Sequence, residues 1–306
     1  MRSLKILPIL CTLTTALVWG LLWYPFRFLT EQGISASMTS MLVYLLCATV
    51  GIALFWRDFK RYFRPEFRLL VLMVIFGWTN LGYTWAVTEG QVMRVMLLFY
   101  LSPLWTAFLS WLILKETLTR AGLAVIGLSL LGCAITLYRP GLWSGSAMLS
   151  ERYEWFALTA GFAYSLGTVL SRRAQSLALP VKSACIWLGV AGFAAVTLTL
   201  SGRMGEIRLL TPVIGVEIVL IAACLLATSI VSQHGVSLLP ANQVMTLMLT
   251  ELVFAAVSAY LLASERMSLQ EWIGGGLIIA ASLLSGKMHA GPEKVRLKPE
   301  PPLPTR

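Results

Sequence analysis

Ten apolar stretches follow one another along a chain of 306 residues, with only short breaks between them. They fall at roughly 6–29, 36–56, 69–88, 92–114, 119–138, 154–176, 182–201, 213–234, 238–262 and 268–287. A hydrocarbon core ~30 Å thick takes about 20 consecutive apolar residues to cross as a helix. Because lipid satisfies no backbone polar group, a spanning segment must satisfy its own. The pattern therefore predicts an all-α integral membrane protein of ten transmembrane helices. The charge supply agrees, at 12% charged residues against 58% hydrophobic. That is about half the ~25% that covers a soluble domain of ordinary composition.

The breaks carry turn or charge signals, such as Glu89-Gly90 and Ser201-Gly202-Arg203, and none has room for a soluble domain. Arg2 and Lys5 precede the first run as they would in a signal peptide. That run nevertheless continues to about Leu29, contains Trp19, Trp23 and Tyr24, and lacks a small-residue cleavage site, so it reads as a retained membrane helix. With a cytoplasmic N-terminus, seventeen of the 24 Lys and Arg residues fall on the cytoplasmic side. Five fall opposite (Arg139, Arg152, Arg203, Arg208 and Arg266), and Arg27 and Arg94 lie within runs. The bias predicts cytoplasmic termini and an even number of crossings. The net charge of +10 is spread over these gaps and forms no single patch, which suits anionic lipid headgroups and not nucleic acid.

The chain also repeats itself. A shift of 149 residues lays Ser102-Pro103-Leu104-Trp105-Thr106-Ala107 on Glu251-Leu252-Val253-Phe254-Ala255-Ala256. The same shift lays Glu116 on Glu265, Thr119 on Ser268, Gly127 on Gly276 and Leu128 on Leu277. A shift of 145 pairs Leu13-Thr14 with Leu158-Thr159, Trp19 with Tyr164 and Arg27 with Arg172. Five runs per repeat is an odd number, so the halves, 1–143 and 150–288, are expected to cross the membrane in opposite senses. A binding site is then expected near midplane between them. Residues 289–306, mostly Pro, Lys and Glu, are predicted to form a disordered cytoplasmic tail.

Tyr100-Leu-Ser-Pro103-Leu-Trp-Thr-Ala through Leu114-Lys-Glu116-Thr-Leu-Thr119 resembles the first repeat of the EamA family of the drug/metabolite transporter superfamily. Thr250-Glu251-Leu-Val-Phe-Ala-Ala through Ser264-Glu265-Arg-Met-Ser268, with Trp272-Ile-Gly274 and Leu277, resembles the second, and Trp19-Gly20 fits the first helix. The resemblance covers about residues 5–287. It implies a ten-helix carrier with cytoplasmic termini that exports small metabolites or amino acids across a bacterial inner membrane. One departure is Leu252, where the second repeat of the family usually has Pro. It leaves open whether the two halves bend alike.

Glu251 is the sharpest candidate for the substrate path. It falls near the middle of the ninth run, where an ionised carboxylate is expensive unless hydrated or paired. Such a residue faces water and takes protons or cations, or else sits protonated against a neighbouring helix. Thr250 and Thr246 are expected to line the same region. Arg94, one turn into the fourth run, could meet an anionic group, pair with Glu89 or snorkel outward. Arg27, at a helix end, reads as a snorkeller. Asn80 and Tyr100 lie deep in the third and fourth runs and are cavity candidates. Trp19, Trp78, Tyr83, Trp105 and Tyr164 add aromatic faces with polar tips, although eleven tryptophans also serve packing and interfacial belts.

Other features read as structural. Pro25 and Pro103 are each expected to kink their helices. Gly274-Gly275-Gly276 and Gly161-xxx-Ser165 suit close helix contact. Glu116 and Glu265 read as helix terminators, Asn242 and Gln243 as caps, and Gln233 and His234 as interfacial groups.

Cys11, Cys47, Cys133, Cys185 and Cys224 lie apart within apolar runs, and there are two histidines, so neither a metal site nor a cofactor is expected. No Walker A loop is present. The favoured function is a secondary active transporter for a small solute, working as a monomer or homodimer by alternating access and coupled to protons through Glu251 or to exchange. Competing readings are an accessory membrane subunit, a passive channel and an integral-membrane enzyme. The last is poorly supplied, having no HExxH and no acidic cluster.

Overall fold

The structure is a computed structural model and describes residues 6–115, 120–138, 149, 151–173, 178–239, 244 and 247–285. The predicted tail, Glu116, Asn242, Gln243 and Thr246 lie outside these, as do the side chains of Gln233 and His234.

Every regular element among the described residues is helical. The first half contains α1 (Ile6–Leu21), α2 (Trp23–Glu31), α3 (Ala36–Leu54), α4 (Trp56–Tyr62), α5 (Phe67–Glu89), α6 (Val92–Phe99), α7 (Ser102–Leu114) and α8 (Arg120–Leu137). The second contains α9 (Arg152–Arg173), α10 (Leu179–Leu200), a 3-10 turn (Arg203–Leu209), α11 (Pro212–Leu238), α12 (Thr250–Ala263) and α13 (Leu269–Ser285). Among the described residues, six segments are long and apolar enough to span a bilayer: Ile6–Glu31, Ala36–Leu54, Phe67–Glu89, Val92–Leu114, Pro180–Leu200 and Pro212–Ser232. Shorter apolar helices occupy Gly122–Thr136, Thr250–Ala263 and Leu269–Ala281. The eighth predicted run proves longer than its expected end at 234, because apolar residues carry α11 on to Leu238, just short of Pro240.

Two prolines explain two breaks. The first run is interrupted at Leu22, three residues before Pro25, and the fourth between Phe99 and Ser102, just before Pro103. A proline lacks the N–H that would bond four residues back and its ring crowds that carbonyl, so the helix restarts around it. The ninth run breaks at the equivalent place without a proline. Leu249 forms a turn before α12, and the Leu252 N–H reaches the Leu249 carbonyl at 3.2 Å, one residue nearer than an α-helical bond would run. The Thr250 hydroxyl donates to the Leu247 carbonyl at 2.6 Å.

The two halves also match in how they pack. α3 lies on α10, and α8 on α13. The contact of α5 with α9 has its counterpart in α11 with α1, that of α7 with α9 in α12 with α1, and that of α5 with α10 in α11 with α3. Exchanging the halves thus returns the same set of neighbours. At α8 on α13, a side chain at Gly132 would come within 2.7 Å of the Gly274 carbonyl, so the backbones meet at two glycines. Lipid tails are as apolar as the helices, so such close approach does the joining that apolar burial does in water.

The ends of α7 and α12 repeat one conformation. Lys115 and Ser264, 149 residues apart, have φ of 56° and 55° and are the two non-glycine residues with positive φ among those described. Each caps its helix by donating its N–H five residues back, to Ser110 and Ala259.

Candidate functional site

α6 is the buried pivot of the bundle. Seven of its eight residues, Val92 to Leu98, are buried, and all of these but Arg94 form a cluster with Trp23, Ala157, Leu252, Ala255 and Ile278. Tyr100 lies in the break that follows α6, and Glu251 lies in the first turn of α12, just after the break before it. The Tyr100 hydroxyl donates to Glu251 Oε2 at 2.8 Å, joining residues 151 apart in sequence and on opposite halves. Gly20 of α1 allows α12 to approach: a Cβ there would lie 2.7 Å from the Glu251 carbonyl.

Phe99 organises the surrounding aromatics. Its ring centroid lies 5.1 Å from Tyr83, 5.5 Å from Tyr164 and 6.5 Å from Tyr100. Tyr83 and Tyr164 thus share a ring cluster with Tyr100, the residue that bonds Glu251. Trp105, one turn into α7, meets Phe162 edge-on at 5.5 Å, and its buried indole N–H has no partner among the described residues. Glu251, Tyr83, Tyr100 and Trp105 are half-buried and Tyr164 is exposed. Five of the ten sequence candidates thus belong to this neighbourhood, with Thr250 beside them bonded back across the break to the Leu247 carbonyl.

The other four lie elsewhere. Asn80 is spent on structure, accepting from the Tyr44 hydroxyl at 2.6 Å and donating to the Phe76 carbonyl at 2.9 Å. Trp78 sits edge-on to Trp85, Phe156 and Phe193, and Trp19 packs on the core shared by α3, α10 and α11. Arg94 pairs with Glu154 at 2.6 Å, not with Glu89, which instead takes Arg152 at 2.9 Å. Glu154 is fully buried, and a charge in that setting demands an opposite one.

Arg27 and Glu265 have larger roles than their positions at run ends suggested. Arg27 donates to the Val87 carbonyl from Nε at 3.2 Å and from Nη2 at 2.7 Å, and to the Gly90 carbonyl at 2.6 Å. Its Nη1 bonds Glu265 Oε1 at 3.0 Å, and its guanidinium lies 4.9 Å from the Trp23 ring centre. The other oxygen of Glu265 accepts the Val92 N–H at 2.8 Å, capping α6, whose own N-cap Gln91 makes no side-chain cap bond. Trp23 adds a second tie between halves through Ser258, at 3.0 Å. Beside this latch opens a cavity of about 710 Å³, lined by Arg27, Thr30, Glu31, Thr88, Glu89, Gly90, Gln91, Arg94 and Tyr153.

Phe99, Glu154 and the latch role of Glu265 escaped the sequence reading. Glu154 had a usable signal, since a buried arginine in the fourth run needs an acid and the chain has only 14. Phe99 had none beyond its place beside Tyr100.

Apolar helices packed as two interchangeable halves around a partly buried carboxylate define a multi-pass membrane protein. The EamA-like transporter family matches residues 6–138 and again 152–286, and the chain belongs to that family. With its apolar spans it is a multi-pass membrane protein of that family. An uncharacterized transporter of Pseudomonas aeruginosa, PA0485, is 24% identical over 184 residues, covering 58% of this chain and 58% of that protein, so the match spans a little over half the length of each. A solved crystal structure shares the fold at a TM-score of 0.59 and 18% identity, over 91% of this chain and 96% of that one.

Proposed function

We propose that the chain is a secondary active transporter that exports a small metabolite or amino acid across a bacterial inner membrane by alternating access between ten helices in two inverted repeats. The observation that carries this reading is the Tyr100–Glu251 bond: a carboxylate from one half is held by a hydroxyl from the other, beside the breaks in both halves. Rocking the halves changes that contact directly. The Lys and Arg bias assigns the latch end to the periplasm and both termini to the cytoplasm. The arrangement described is then closed toward the periplasm by Arg27 and Glu265. Protonation of Glu251 in each cycle couples movement to the proton gradient. One copy contains the whole site, so transport needs no second copy.

The test is reconstitution in liposomes with pooled labelled amino acids and metabolites, with and without a pH gradient, beside Glu251→Gln. Saturable flux that follows the gradient and is lost in the variant supports a proton-coupled carrier. Flux indifferent to the substitution removes Glu251 from coupling and favours exchange. Non-saturable flux favours a passive channel, and no flux from folded protein favours an accessory subunit.

A further inference from the structure

We infer that the solute taken by the Glu251 site is an organic cation, an amine or quaternary ammonium with apolar substituents; this rests on the transporter reading above. Glu89, Glu154, Glu206 and Glu265 each have an arginine partner. Glu251 has none. Its single hydrogen bond comes from a neutral hydroxyl, Tyr100 to Oε2, and Oε1 has no partner among the described residues. Nor do the described residues of the helices packed on α12 supply a free countercharge. α12 packs against α1 and α6. α1 and α12 contain no Lys or Arg, and the one cation of α6, Arg94, is held by Glu154. Arg27, on α2, is held by Glu265 and two carbonyls.

The walls add a second, independent preference. Tyr83, Tyr100 and Tyr164 gather around Phe99, so the residue that bonds the carboxylate belongs to a cluster of four aromatic rings. Aromatic faces attract cations through their quadrupole, more strongly where water is thin. An anion would meet the carboxylate as a like charge, and a neutral guest would leave it uncompensated. A cation with apolar substituents satisfies the carboxylate and the rings together.

The experiment uses the full chain in lipid nanodiscs, with tryptophan fluorescence as readout. Three water-soluble ligands of similar bulk are titrated: benzyltrimethylammonium, benzyl alcohol and phenylacetate. Benzyltrimethylammonium should bind saturably and at least about tenfold tighter than the other two. Glu251→Gln should weaken it by about tenfold or more, whereas Asp58→Asn, which removes an exposed carboxylate on α4, should leave it unchanged. Thermal unfolding checks that both variants are folded. Equal binding of the three ligands, or an unchanged affinity in folded Glu251→Gln, overturns the cation assignment. Saturable transport of a neutral or anionic solute that benzyltrimethylammonium does not inhibit overturns it too, while leaving the transporter reading intact. Selective cation binding without flux of any labelled cation keeps the site and overturns the transporter reading.

Discussion

The Arg27 guanidinium bonds one oxygen of Glu265 at 3.0 Å, and the other oxygen of that carboxylate holds the first N–H of α6 at 2.8 Å. One ion pair thereby pins three segments: the middle of α2, the turn between α5 and α6, and the residue after the cap of α12. Side-chain exposures of 19% and 17% place it in partial shelter from solvent, where such a contact is worth more than a surface bridge.

Loosening this latch should open its end of the bundle. Glu265→Ala should speed maleimide labelling of a cysteine placed at Thr88, in the adjoining cavity, relative to the same cysteine in an otherwise unchanged latch, with native cysteines replaced in both. The charge-swapped pair Arg27→Glu with Glu265→Arg should fail to restore slow labelling, because the Val87 and Gly90 carbonyls need a donor at position 27. Full restoration by the swap would mean that the ion pair alone holds the contact.

Arg94 and Glu154 form the more deeply buried pair, and removing either should destabilise more than removing both. Arg94→Ala or Glu154→Ala leaves a charge without its partner, at a cost of about 3–5 kcal/mol. The double variant Arg94→Met with Glu154→Leu should recover much of that loss. Unfolding midpoints of the purified protein in one detergent would check the order. Equal losses in the single and double variants would contradict it.

Much of the fold was readable in the sequence because the lipid environment forces long apolar runs, and Pro25 and Pro103 mark their own breaks. The break at Leu249 was not readable, since Leu252 carries no such mark and the turn depends on hydroxyl and backbone bonds around it. At the site, a carboxylate in the ninth run announced Glu251 on solvation grounds alone. Its meeting with Tyr100 is a tertiary fact across 151 residues and left no local pattern. Asn80 and Trp78 show the reverse error: polar tips in a span looked available, yet Tyr44 and a set of neighbouring rings had already claimed them.

Glycine substitutions should divide by what faces them. Gly20→Ala places a methyl group 2.7 Å from the Glu251 carbonyl and 2.9 Å from Phe254 Cβ, so α1 and α12 must separate. Stability and flux should both fall, with a loss of about 1–3 kcal/mol from the forced shift. Gly276→Ala meets nothing within 4 Å. It should be neutral or stabilise by up to about 1 kcal/mol through helix propensity. Thermal unfolding and flux of the two variants side by side would check the contrast.

Proline should be tolerated at position 252 and not one turn later. Leu252→Pro removes one N–H, now bonded to the Leu249 carbonyl at 3.2 Å, in a turn that already departs from helix. Its cost should be about 1 kcal/mol. Ala256→Pro, inside α12, should cost about 3 kcal/mol or more and abolish flux. Equal damage from both would mean that the break before α12 does not accommodate proline as its counterpart before α7 does.

Lys115 and Ser264 share a left-handed turn that glycine would adopt with less strain, and neither is glycine. Their side chains have nothing in common, yet the backbone closes each helix on the same fifth residue back. Descent from one duplicated unit leaves this kind of trace: chemistry drifts at a position while the path of the chain through it is kept. The turn is therefore a sounder landmark than any side chain for aligning the halves of distant relatives, and a swap of whole segments between halves should be cut there.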